Sequence, residues 1–159
     1  MLFLFGAHVE KKTKNMEKVQ IRATSLVRSI RHLPYVERLK RLNLPTLKYR
    51  RARGDMIEVY KILNGKYDIN ACVSLITSHS VTRGNRYRLQ KGHIKYDLRK
   101  YFFTQRIVDV WNSLPDYVVC TDTVDKFKNA LDKWWRFQDL YFDYESDLTG
   151  IGSRSKCLT

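Results

Sequence analysis

Three prolines punctuate this chain, and each stands where a run of apolar residues spaced by three and four comes to an end. Proline has no amide hydrogen and its ring clashes with the preceding turn, so it closes a helix or opens the next. Met16, Val19, Ala23, Leu26, Val27 and Ile30 form the first stripe, with Lys18, Arg22 and Arg28 opposite, and Pro34 closes it. Val36, Leu39 and Leu42 form a second within 34–43, and Pro45 ends it. The strongest helix is "TLKYRRARGDMIEVYKILNG" (46–65): Tyr49, Ala52, Met56, Val59, Tyr60 and Leu63 share one face, Thr46 can cap its first turn, and Asn64-Gly65 can stop it. Gly54 inside it implies a close neighbour, because glycine costs a helix about 1 kcal/mol against alanine. Phe103, Ile107, Val108, Trp111 and Leu114 line up before Pro115, and Val124, Phe127, Leu131 and Trp134 follow a capping Thr123. Phe102, Phe103 and Trp111 are assigned to the core. The pattern predicts a mainly α fold, a small helical domain of about five helices. Loose alternation around Lys91-Gly92 predicts one short β-hairpin near 85–97, while 66–82 reads equally as helix or strand followed by loop.

Helices alone do not say what the chain meets; charge narrows it. The 159 residues carry a formal charge of +14, and four acids against two bases from Asp139 onward leave +16 on residues 1–138. A body this basic attracts polyanions, which puts nucleic acid first among partners and an anionic membrane or an acidic protein second. A hydrophobic share of 43% and an aromatic share of 13% supply a core, so the chain is not of the disordered class. Composition divides it into an N-terminal segment 1–14, a basic helical domain 15–138 and an acidic-to-polar tail 139–159 that Leu140, Tyr141 and Phe142 can pin. "MLFLFGAH" lacks the basic residues and the apolar length of a signal or a membrane span, and reads as a strand or strap at Leu2–Phe5. Three scattered cysteines fit a reducing, intracellular compartment, cytoplasmic or nuclear.

Catalysis needs convergent groups, and the sequence offers none. Cys72, His79, His93 and Cys120 lack metal-ligand spacing, no glycine-rich loop cradles a phosphate, and no cofactor is implied. The acids have plain roles. Glu37 with Lys40 and Glu58 with Lys61 are helix ion pairs, Asp122 and Asp125 suit a helix start, and Asp109 a solvated face. The informative residues are basic. Arg50, Arg51 and Arg53 crowd two helical turns, and Arg83, Arg86, Arg88, Lys91, Lys95, Arg99, Lys100 and Arg106 fill the segment 83–106. Tyr87 and Tyr101 stand among them, where rings can stack on unpaired bases. A solvating face with tyrosines at its rim is the competing reading.

Several stretches decide between these readings by likeness. "EKVQIRAT" (17–24), "LPYVERLKRLNLPTLKYRRARGDMIEVYKILNG" (33–65), "LRKYFFTQRIVDVWNSLP" (98–115), "TVDKFKNALDKWW" (123–135) and "YFDYESDLTGIGSRS" (141–155) resemble, in order, the C-terminal, post-thumb region of non-LTR (LINE-type, jockey-like) retrotransposon reverse transcriptase polyproteins. The resemblance spans about residues 15–155. It implies an RNA-directed DNA polymerase as parent, with this segment beside the primer-template exit, gripping RNA or the RNA–DNA hybrid. The family's polymerase motif pairs two aspartates to hold magnesium; this chain has no Asp-Asp pair, so no catalytic residue carries over and the chain itself is not expected to be an enzyme. Ile21 stands where the family commonly has a second base beside Arg22, and Met1 with its apolar start looks like a new or truncated beginning. The resemblance therefore implies non-catalytic binding of RNA or single-stranded DNA, with no membrane partner. The alternatives are a helical module that packs against the remainder of the reverse transcriptase, leaving an apolar face around Trp134 and Trp135 for self-association, and a relic with no selected function.

Overall fold

Capping chemistry places the helix ends. In the computed structural model, which describes residues 3–68, 73–77, 85–92 and 102–151, the chain forms six α-helices among the described residues and no strand. They are α1 (Phe3–Ser25), α2 (Tyr35–Leu42), α3 (Leu47–Leu63), α4 (Phe103–Asn112), α5 (Asp116–Val119) and α6 (Val124–Trp134). Thr46 Oγ1 accepts the Tyr49 N–H at 3.2 Å to open α3, and Thr123 Oγ1 accepts the Lys126 N–H at 3.2 Å to open α6. Past the end of α3, Gly65 has φ +61, where a side chain would be strained. Asn43 takes the same left-handed region after α2. The pairs Lys40–Glu37 and Lys61–Glu58 close at 3.1 Å each.

The chain divides into two compact units, Met1–Ala52 with Phe137–Leu148, and Arg53–Arg136 with Thr149–Thr159. In the first, α1 packs on α2, and Ile30, Leu39, Tyr49 and Leu140 are buried. Its centre is polar. Glu17, with no exposed surface, accepts the Tyr35 hydroxyl at 2.6 Å and the Leu47 N–H at 3.2 and 3.3 Å. That amide belongs to the first turn of α3, whose N–H groups have no acceptor within the helix and carry the positive end of its dipole. Burial, and then the Glu17 hydrogen bond, hold the Tyr35 hydroxyl pKa well above the ordinary tyrosine value. The Arg38 guanidinium donates to the Ile21 carbonyl at 3.2 Å, and Gln20 Nε2 to the Pro45 carbonyl at 3.0 Å. Thr46 ties in a 3-10 turn at Asp139–Tyr141, its hydroxyl donating to the Leu140 carbonyl at 2.6 Å and its N–H to the Tyr141 carbonyl at 2.9 Å.

In the second unit the stripes of α3, α4 and α6 close on each other. Met56, Val59, Tyr60, Ile107, Trp111, Leu114, Phe127 and Leu131 are buried, with Val118 of α5. The Tyr60 ring stacks on Phe127 with centroids 4.4 Å apart, and its hydroxyl donates to the Thr121 carbonyl.

Five sequence expectations are corrected. Residues from Phe3 onward belong to α1, so helix stands at Phe3–Phe5 where a strand or strap was expected, and Leu2 lies outside the described residues. The α1 stripe faces outward: Met16 is 48% and Val19 68% exposed, because α1 turns Glu17 and Thr24 inward instead. Gly54 has nothing within 4 Å of where a Cβ would stand, so no neighbour requires it. Phe102 is exposed, since it precedes α4 with extended backbone and lies off the stripe, whereas Trp135 is buried and only Trp134 remains half exposed. The hairpin near 85–97 is not formed where it is described. Leu89 makes a single antiparallel bridge back to Thr77, and 93–97 lies outside the described residues.

Candidate nucleic-acid interface

The segment that replaces the hairpin is held by side chains rather than by a strand ladder. Asn85 is buried and its Nδ2 donates to the Trp111 carbonyl at 2.9 Å and the Leu114 carbonyl at 3.3 Å. Asp116 Oδ1 accepts the Arg86 N–H at 2.9 Å. Trp111 Nε1 donates to the Tyr87 carbonyl at 2.8 Å. Asn112 grips Leu89 twice: Oδ1 accepts its N–H and Nδ2 donates to its carbonyl, both at 2.9 Å. Four backbone groups, the Arg86 N–H, the Tyr87 carbonyl and both groups of Leu89, are thus spent on α4 and the start of α5, and the Gln90 N–H donates to the Ile76 carbonyl at 2.8 Å. Only Leu89 among residues 86–91 buries its side chain. Arg86 and Tyr87 stand exposed on the resulting strap, Arg88 is half-buried, and Gln90 and Lys91 are exposed. A cation and an aromatic ring side by side on a fixed backbone are what an unpaired strand requires: charge for phosphate and a flat face for a base.

The remaining candidate cations separate by what already holds them. The Arg53 guanidinium meets the Asp132 carboxylate at 2.6 and 2.7 Å, and Arg106 meets Asp55 with both contacts at 2.8 Å. Both are two-pronged pairs, and the Asp55 side chain is only 17% exposed. Such a pair is costly to break, so these two arginines are assigned to joining α3 with α6 and α3 with α4 rather than to phosphate. Lys91 differs. Its contact with Asp109 is short, 2.6 Å, but the side chains are 50% and 58% exposed, and a pair that open to water contributes about 0–1 kcal/mol. A phosphate can displace it. Arg50 and Arg51 lie exposed on the part of α3 in the first unit, with no ion pair among the described residues. Arg83, Lys95, Arg99, Lys100 and Tyr101 lie outside the described residues.

This division has a direct test. Arg106→Ala strands the Asp55 carboxylate and is expected to cost about 2 kcal/mol of stability. It is read from the shift in denaturant midpoint. An unchanged midpoint returns Arg106 to the list of available phosphate ligands.

Asn85, Asn112 and Asp116, which build the strap, carried no sequence signal. Their partners lie 23 to 30 residues away, and a lone Asn or Asp beside a helix end reads as an ordinary cap. Both units are cationic. Thirteen Lys and Arg against seven Asp and Glu give the first +6, and seventeen against nine give the second +8. Among the described residues no group of three His, Cys, Asp or Glu side chains could hold a metal ion, and no helix is long and apolar enough to cross a membrane. No family model, curated protein or solved structure matches the chain.

Proposed function

We propose that this chain binds RNA or single-stranded DNA without catalysis, as a fragment of a non-LTR retrotransposon reverse transcriptase that lacks the palm, and that it works inside the cell. One observation carries the reading. Trp111, Asn112 and Asp116 hold four backbone groups of the 85–91 strap, the Arg86 N–H, the Tyr87 carbonyl and both groups of Leu89, and its exposed side chains are Arg86, Tyr87 and Lys91 with Gln90. The resemblance of residues 15–155 to the post-thumb region supports the same class of ligand. Recognition of this kind tolerates any sequence, because every base has a face to stack and every nucleotide a phosphate.

The test is fluorescence anisotropy with a labelled single-stranded oligonucleotide. Arg86→Glu is expected to weaken binding about tenfold by replacing attraction to a phosphate with repulsion. Tyr87→Ala is expected to weaken it by about tenfold or more through loss of stacking, and Tyr87→Phe to leave it intact. Binding that is indifferent to both Arg86→Glu and Tyr87→Ala removes the strap from the interface.

A further inference from the structure

We propose that the cleft between α1 and the start of α3 is a second phosphate-binding site for RNA or single-stranded DNA, and that Asp147 closes it in the free chain. The inference rests on the reading of this chain as a nucleic-acid binder. It adds a site in the first unit, with an inhibitor supplied by the chain itself.

Helix spacing brings the cations together. Lys48 and Arg51 stand three residues apart on α3, and both line one cleft with Met16, Glu17 and Leu47. Glu17 does not meet a ligand there, because its carboxylate has no exposed surface and is turned to the Tyr35 hydroxyl and the Leu47 N–H. Arg51 is exposed, with no ion pair among the described residues. Lys48 is already held.

Its holder arrives on an anchored turn. Leu140 is buried, and Thr46 donates to the carbonyls of Leu140 and Tyr141 at 2.6 and 2.9 Å, which fixes the C-terminal segment beside α3. Asp143 then folds the chain back: Oδ1 accepts the Glu145 N–H and Oδ2 the Ser146 hydroxyl, each at 2.9 Å. The turn presents the Ser146 carbonyl and the Asp147 carboxylate to Lys48 Nζ, at 2.7 and 2.6 Å. Residues 137–148 carry four acids and no base, while residues 1–52 carry thirteen bases and three acids, so −4 is laid against +10.

The Asp147 carboxylate stands where a phosphate of the strand would stand. Its side chain is 89% exposed, and an ion pair so open to water holds weakly. It neutralises Lys48, whereas a phosphate has oxygens for Lys48 and Arg51 together, and a guanidinium takes such oxygens two at a time. An acidic peptide lacks that advantage. It would set carboxylates against a carboxylate already tethered beside the site at high effective concentration. A nucleic-acid strand also releases condensed counterions when it binds, which favours it over the tether.

The experiment uses the full chain carrying Arg86→Glu, which silences the strap, and follows a labelled single-stranded oligonucleotide by fluorescence anisotropy at low salt. Residual binding is expected. Asp147→Ala should tighten it about threefold, and Glu145→Gln, which removes the same charge two residues away, should not. In a Lys48→Ala background Asp147→Ala should have no effect, and Arg51→Glu should weaken the Asp147→Ala chain about tenfold. Asp147→Ala should leave the denaturation midpoint in place, because so exposed a side chain contributes little to the fold. The proposal is overturned by an absence of residual binding with and without Asp147→Ala, by equal tightening from Glu145→Gln, or by tightening that persists without Lys48. An Asp147→Ala chain that binds labelled poly-glutamate in place of the oligonucleotide overturns it too and assigns the cleft to an acidic protein. If Arg86→Glu leaves the affinity of the otherwise unaltered chain unchanged, the strap falls, while the cleft is still decided by Lys48, Arg51 and Asp147.

Discussion

Glu17→Ala is expected to lower stability by about 3 kcal/mol. The wild-type carboxylate has no exposed surface and accepts from the Tyr35 hydroxyl and from the Leu47 amide that opens α3. Alanine leaves both donors without an acceptor where little water can reach them. An unpaired buried donor costs about 1–3 kcal/mol, and the vacated volume adds to it. The positive end of the α3 dipole also loses its counter-charge. Glu17→Gln separates the contributions. Its carbonyl oxygen can still accept, so geometry is largely retained and the expected loss is about half, the remainder reporting the charge–dipole interaction. Chemical denaturation followed by circular dichroism gives both values. A midpoint that alanine leaves unmoved would show that the Tyr35–Glu17–Leu47 cluster is not what joins α1, α2 and the start of α3.

Nucleic-acid affinity is expected to fall about a hundredfold when salt is raised fourfold. The second unit carries +8, and contact with about five phosphates of a single strand gives a slope of about −3.5 in the logarithmic plot of affinity against salt. The physical source is the release of counterions condensed on the strand, which costs more as the bulk fills with salt. The slope counts phosphates directly, so Arg86→Ala should reduce it by about 0.7. Arg106→Ala should change stability and leave the slope alone, because that guanidinium is committed to Asp55. A flat titration removes the polyanion reading, and a slope that Arg86→Ala leaves unaltered places the contacts elsewhere.

How far the sequence could be read follows from the range of each force. The ends of α3 and α6 were legible because caps, breakers and periodicity act within about four residues, whereas α1 starts at Phe3 and stops at Ser25, short of Pro34, and the four-residue α5 left no periodic stripe to read. Thr46, Gly65, Thr123 and the three prolines each do locally what their chemistry requires. The same holds for the buried stripes of α3, α4 and α6, whose apolar faces had only each other to meet. Two things were not legible. One was the face that α1 turns inward: its apolar stripe predicted one side, and the structure buries Glu17 on another. A carboxylate tolerates burial only where donors await it, and those donors come from Tyr35 and Leu47, 18 and 30 residues along the chain. The other was the division of the arginines. As residue types Arg53, Arg86 and Arg106 are identical, and only tertiary structure brings Asp132 and Asp55, 79 and 51 residues away, against two of them. The sequence by itself determined where the capped helices α3 and α6 run and how positive the chain is, since both are sums over neighbours. Which charges are already satisfied and which face is left open depend on contacts between distant residues, and only the folded chain decides those.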